Sequence, residues 1–122
     1  MLKQVVVLCF SDVPSAPTNL GVTDVGDGVI SVAWGAPRSD GGSPITGYVV
    51  ETCRSGGKVW TKAGKVNDST LAFDITGLIP GEYYFIRVSA ENDIGLSKKA
   101  ADLGEPVCAQ KPTSKSVNCV IC

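Results

Sequence analysis

The sequence predicts an all-β fold, a sandwich of seven short strands, on three observations. Short segments in which apolar and polar residues alternate recur along the chain, separated by turns rich in Gly, Pro, Asn, Asp and Ser. No segment of about ten or more residues keeps a helical periodicity. A Pro-Gly turn at 80–81 is followed by Tyr83 and Tyr84, an arrangement in which a buried tyrosine can return its hydroxyl to nearby backbone in Greek-key sandwiches.

The first three predicted strands follow one another across the amino-terminal half of the chain. The first, over 19–22, comes after a proline-rich opening and ends at a turn over 24–28 that is rich in Asp and Gly. The second, over 30–34, alternates apolar with small residues and places Trp34 inward. A loop of Gly, Ser, Asp and Pro then leads into the third and longest of them, over 46–54.

The remaining strands are separated by equally clear turns. A Ser-Gly-Gly turn leads into the fourth strand, over 58–66, and another turn leads into the fifth, over 71–76. The sixth follows the Pro-Gly turn and ends at the segment 92–95. A weaker last strand is expected between 97 and 108. Because side chains alternate along a strand, the core is expected to hold four aromatic residues: Trp34, Tyr48, Phe73 and Tyr84.

Composition excludes several classes of function. The 122 residues suffice for one domain, and the formal net charge of −1 gives no electrostatic reason to expect nucleic acid or an anionic membrane as partner. No apolar run approaches the length of about 20 residues that a membrane-spanning helix needs. The chain has no histidine, which removes the commonest general base and the commonest metal ligand.

No cluster of residues predicts catalysis, a metal or a cofactor. The glycine-rich loops at 40–44 and 56–58 lack the spacing and the helix that a phosphate cradle needs, and the carboxylates are scattered. Five cysteines leave at least one unpaired, and reduced thiols in a cytosolic compartment are the simplest account of them. We therefore expect a binding or spacer module that is not an enzyme and has no cofactor.

Several motifs carry a resemblance to a known family. They are Trp34, Tyr48, L-x-P-G-x-x-Y over 78–84, R-V-x-A-x-N-x-x-G over 87–95, D-G-G-S-P-I-T-G-Y-V-V-E over 40–51, W-x-K-A over 60–63, S-T-x-A-F-D-I-T-G-L over 69–78 and E-P-V-x-A-x-x-P over 105–112. Together they are similar to fibronectin type III domains, and most similar to those of the giant intracellular muscle proteins titin, twitchin, projectin and the myosin-binding proteins.

The resemblance implies an immunoglobulin-like, seven-stranded Greek-key sandwich over 14–112, with a lead-in over 1–13 and a flexible tail over 113–122 that match nothing in the pattern. It implies a sarcomeric, cytoplasmic module that is monomeric in isolation and acts as a spacer and docking surface on the thick filament. Its partners would be proteins, myosin or neighbouring immunoglobulin-like and fibronectin type III modules. The alternative is an extracellular receptor or adhesion module, which predicts a glycan at Asn67 and paired cysteines.

The sequence also suggests a partner-binding face on the side of the third and sixth strands away from the core. It is expected to hold Val49 and the five candidate residues Glu51, Trp60, Lys62, Phe85 and Arg87, with Tyr83 on the same side. Exposed aromatic residues beside Arg and Lys are typical of protein interfaces. In the simpler interpretation, which we favour, Trp60 shields the edge of the sheet while Arg87 and Lys62 lie flat on aromatic surface.

The last four residues have the C-a-a-X form of a prenylation signal, with Cys119 as the residue that would be modified. One lipid would give only reversible membrane affinity, so no stable membrane association is expected. The terminal cysteine is not among the favoured X residues, and a chance match is the simpler interpretation.

Overall fold

The computed structural model describes residues 11–110 as two antiparallel β-sheets packed face to face. The strands are β1 (Thr18–Gly26), β2 (Val29–Gly35), β3 (Ile45–Arg54), β4 (Thr61–Asn67), β5 (Ala72–Ile75), β6 (Tyr83–Asn92), β7 (Ala101–Asp102) and β8 (Val107–Cys108). One sheet has the order β1-β2-β5, and the other has the order β4-β3-β6-β7 with β8 also paired to β6. The predicted all-β sandwich is confirmed.

The last predicted strand is interrupted. Both β7 and β8 pair antiparallel with β6, β7 at Arg87 and Val88 and β8 at Tyr83 and Tyr84. The weak strand expected between 97 and 108 is therefore two short pieces on one edge of β6. Gly104 lies between them with a φ of 79°, a left-handed conformation that breaks a strand and that glycine adopts readily.

The first and fourth strands differ from the prediction at their ends. β1 runs to Gly26, so the turn expected over 24–28 is shorter than predicted. Its pairing with β2 has register shifts between Thr18 and Gly21 and between Val22 and Asp24. Such bulges break the strict two-residue alternation, which is why the sequence pattern ended at Val22. β4 begins at Thr61 rather than at 58.

The core lies between the sheets and contains the aromatic residues that the sequence predicted. Trp34 and Tyr48 face each other from opposite sheets, with ring centroids 5.6 Å apart, and both are buried together with Tyr84. Phe73 is only partly buried because it lies at the edge, where its ring closes over the backbone of Gly64. Burial raises the pKa of Tyr48, and the negative charge of Asp68 adds to the effect, so this phenol stays neutral.

The tyrosine corner is present. The ring of Tyr84 is buried, and its hydroxyl accepts a hydrogen bond of 2.9 Å from the backbone N–H of Ile79, five residues upstream. This bond ties the turn before β6 to the strand itself.

We expect Tyr84→Phe to lower the free energy of unfolding by about 1–2 kcal/mol, because it leaves the N–H of Ile79 without its acceptor while keeping the buried ring. Urea denaturation at an unchanged m-value would measure the loss. A Tyr84→Phe protein as stable as the wild type would show that the corner bond does not contribute.

Asn92 lies at the end of β6. Its side chain holds together one end of the sandwich, which we call a pole, where the described chain begins. Its side-chain amide donates to the carbonyl oxygens of Asp12 at 2.7 Å and Asp40 at 2.8 Å. Its Oδ1 accepts from the N–H groups of Ile94 at 2.8 Å and Gly95 at 3.1 Å. One buried side chain thus joins the lead-in to two loops.

Gly41 makes a further contact with the lead-in at this pole. Its carbonyl accepts a 2.8 Å hydrogen bond from the N–H of Asp12, so the lead-in is held from two sides. Gly41 has a φ of 79°, and a Cβ atom there would collide with the carbonyl oxygen of Asp12. Glycine is therefore required at this position for the lead-in to approach so closely.

Candidate protein-binding face

A row of alternating charges crosses the larger sheet on the face away from the core. In the strand register Glu51 lies between Lys62 on β4 and Arg87 on β6, and Arg87 lies opposite Asp102 on β7. Residues directly opposite one another in antiparallel strands point to the same side, so the four side chains lie on one face. Each charge therefore has an opposite charge beside it.

Arg87 is held in place at the centre of this row. Its Nε donates to Oε1 of Glu51 at 2.8 Å, and its guanidinium carbon lies 4.1 Å from the centroid of the Trp60 ring. The side chains of Arg87 and Glu51 are 34% and 22% exposed, so solvent screens the pair only in part. A stacked cation of this kind contributes about 0.5–1 kcal/mol at exposed sites. The ring, the cation and the carboxylate form a preorganised unit.

The structure places the other candidates around this unit. Lys62 is exposed, and Phe85 is half-buried opposite Cys53. Trp60 is half-buried and lies just before β4, from which it reaches Arg87. The five candidate residues Glu51, Trp60, Lys62, Phe85 and Arg87 thus surround the centre of one face, which we call the outer face.

One predicted outward residue is not accessible. Val49 is 7% exposed, so the expectation that it projects into solvent was wrong. It lies in the central strand β3 between Lys65 on β4 and Ser89 on β6. A short side chain in the middle of a sheet has neighbours on both sides, and alternation along its own strand does not reveal them.

Sequence reasoning missed three members of the charged surface. Asp102 was not singled out because the last strand could not be placed in register from its weak pattern. Lys65 and Glu91 form an ion pair of 2.7 Å across the outer face, although they are 26 residues apart in sequence. Only the pairing of β3 with both β4 and β6 brings such residues together.

The described residues offer no arrangement for catalysis by a metal. Between residues 11 and 110 no group of three or more His, Cys, Asp or Glu side chains could hold a metal ion. No helix in that range could cross a membrane. Cys53 and Cys108 are both buried and form no disulfide with each other, and they pair with opposite edges of β6.

Of the two candidate modification sites, only Asn67 lies among the described residues. Asn67 lies exposed at the end of β4, where its Oδ1 accepts hydrogen bonds from the N–H of Ser69 at 3.0 Å and the hydroxyl of Thr70 at 2.8 Å. The side chain is therefore used to close its own turn. Cys119 lies outside the described residues.

Comparisons with known proteins agree with this architecture. The family model for the fibronectin type III domain matches residues 15–103. The chain is 38% identical over 96 residues to the titin homolog of Caenorhabditis elegans, covering 79% of this chain and a share of that protein that rounds to 0%. It is 36% identical over 110 residues to the fast-type myosin-binding protein C of Gallus gallus, covering 90% of this chain and 10% of that protein.

Solved structures give the same result. A crystal structure of titin domains superposes with a TM-score of 0.76 at 35% identity, covering 83% of this chain and 34% of that one. The twitchin kinase region from C. elegans superposes with a TM-score of 0.74 at 30% identity, covering 81% and 17%. The chain spans a tenth or less of the length of these curated relatives.

Proposed function

The chain belongs to the fibronectin type III family, and we propose on that premise that it is a non-enzymatic structural module of a sarcomeric, titin-like protein. In this role it acts as a spacer and a docking surface on the thick filament. It uses no cofactor, and its partners are proteins, myosin or neighbouring immunoglobulin-like and fibronectin type III modules. The domain proper extends over 14–112.

The spacer role rests on where the described chain enters and leaves the sandwich. At one end of β6, Asn92 binds the carbonyl of Asp12. At the other end, the N–H of Ala109 donates to the carbonyl of Glu82 at 2.9 Å. Ten residues of antiparallel strand span about 30 Å, so the two ends of the described chain lie at opposite poles. A module of this shape extends a tandem array by its full length.

The docking role rests on the preorganised unit of Trp60, Arg87 and Glu51, which is the single observation that carries it. Aromatic residues and arginine are enriched at the energetic centres of protein interfaces. The guanidinium and the ring already hold each other, so binding a partner would lose little side-chain entropy. The half-buried ring of Phe85 extends the apolar part of this surface. The charged side chains around it would form a polar rim.

We expect Trp60→Ala and Arg87→Glu each to weaken binding of the full chain to purified striated-muscle myosin filaments by about tenfold or more, as is typical of residues at an interface centre. Co-sedimentation over a range of protein concentrations would measure the dissociation constant. Lys98→Glu, which makes the same charge change at an exposed site beyond β6, is the matched control.

A thermal melt of each variant would separate loss of binding from loss of folding. Arg87→Glu places a second carboxylate beside Glu51 and can destabilise the fold. Trp60→Ala introduces no charge, so it tests binding through the outer face without this repulsion. Equal binding by the wild type and by both folded variants would contradict docking through the outer face. The muscle relatives give no support to an extracellular adhesion role.

A further inference from the structure

A cleft at the carboxyl-terminal pole lies apart from the outer face and has a different character. It has a volume of about 660 Å³ and opens between the turn after β3 and the turn before β6. Its walls carry two exposed apolar side chains, Val59, which is 75% exposed, and Ile79, which is 48% exposed. An exposed apolar pair in a concave site is a recognised mark of a binding surface.

The charged residues that line the cleft are of one sign. Arg54 and Lys58 line it, and no aspartate or glutamate is among its described lining residues. Arg54 has a loose contact of 3.7 Å with Glu82, and both side chains are about half exposed, so this pair is weak and easily exchanged. The cleft therefore complements a negatively charged partner.

Two backbone N–H groups at the cleft wall donate to no other backbone group among the described residues. The last residue pair of the β3–β4 ladder is Thr52 with Thr61, so Lys58 and Val59 lie beyond it. Lys58 and Val59 lie outside the strands, and within residues 11–110 their backbone N–H groups donate no hydrogen bond to another backbone group. Unpaired donors beside a strand can be satisfied by an added extended segment.

We propose that this cleft binds an extended acidic peptide segment that alternates carboxylate and apolar side chains. The apolar side chain contacts Val59 and Ile79, the carboxylates pair with Lys58 and Arg54, and a peptide carbonyl accepts from the N–H group of Lys58 or Val59. Each of the three features of the cleft then has a counterpart in one ligand. The site is separate from the outer face and does not depend on the proposed myosin contact.

The test titrates the isotope-labelled full chain with acetyl-Glu-Val-Glu-Val-Glu-amide and follows backbone amide chemical shifts. We expect the shifts to concentrate at 54–59 and 77–79, with weaker binding at higher ionic strength. Lys58→Glu should weaken binding about tenfold or more, because it replaces an attraction by a repulsion. The control Lys62→Glu makes the same charge change on the outer face and should leave this binding unchanged.

The same peptide with lysine in place of glutamate supplies the second control. Binding of both peptides with equal affinity would overturn the proposal, since the cleft would then not select charge. Shifts centred on the outer face, or no shifts at millimolar peptide, would overturn it as well. Lys58 forms no ion pair with the other described residues, so its replacement is not expected to alter folding.

Discussion

Trp34→Ala is expected to lower the free energy of unfolding by about 3–5 kcal/mol, the range for removing a large aromatic side chain from a core. Trp34 is 5% exposed and packs against Tyr48 across the interior of the sandwich. A cavity between two sheets cannot close without moving their backbones, so little of the loss is recovered. Because a small domain has only about 5–15 kcal/mol of stability in total, we expect the variant to lose a large part of its stability and to melt far below the wild type.

The chain holds its own control for this experiment. Its second tryptophan, Trp60, is half-buried on the outer face, so Trp60→Ala should cost about 1 kcal/mol or less. Trp34 Nε1 has no hydrogen-bond partner among the described residues. Trp34→Phe therefore removes no bond and should be much milder than Trp34→Ala. Thermal melts of all three variants would decide the matter, and a Trp34→Ala protein that melts within a few degrees of wild type would show that the ring is not central to the core.

Asn92→Ala is expected to cost about 2–4 kcal/mol, because it removes four hydrogen bonds from a side chain that is 3% exposed. The N–H groups of Ile94 and Gly95 would lose their acceptor, and the carbonyls of Asp12 and Asp40 would lose their donor. The lead-in and both loops should therefore loosen together.

Two measurements test this interpretation of Asn92. Urea denaturation gives the loss of stability, and amide hydrogen exchange at Asp12 reports whether the lead-in has detached from Gly41. Asn67→Ala removes two hydrogen bonds in an exposed turn and should have an effect below about 1 kcal/mol. If the two asparagine variants were equally stable and Asp12 exchanged at its wild-type rate, Asn92 would not be the fastening point of this pole.

Much of the fold was readable from local patterns. The alternation around Trp34, Tyr48 and Tyr84 placed these rings in the core, and the Pro-Gly turn located the tyrosine corner. Both signals depend on residues within one strand or one turn, where sterics and burial act over a few positions. The candidate face was assembled from the same parity, and Glu51, Lys62 and Arg87 do share one side of the sheet.

Features that depend on the pairing of neighbouring strands could not be predicted from these local patterns. Val49 has outward parity, yet the strands on either side of β3 bury it. The bulges in β1 and the division of the last strand into β7 and β8 arise from pairing with β2 and β6. The pairing of Asp12 with Gly41 and Asn92 joins segments up to 80 residues apart.

The sequence by itself determined the class of fold, the inward residues and the absence of histidine chemistry. The tertiary structure alone decided which charges meet, which outward side chains are covered and where the cleft lies. The physical reason is the separation in sequence over which each kind of interaction acts. Alternation and turn preference act between residues a few positions apart, whereas register, ion pairs and concave surfaces arise only when distant strands are brought to a separation of about 5 Å.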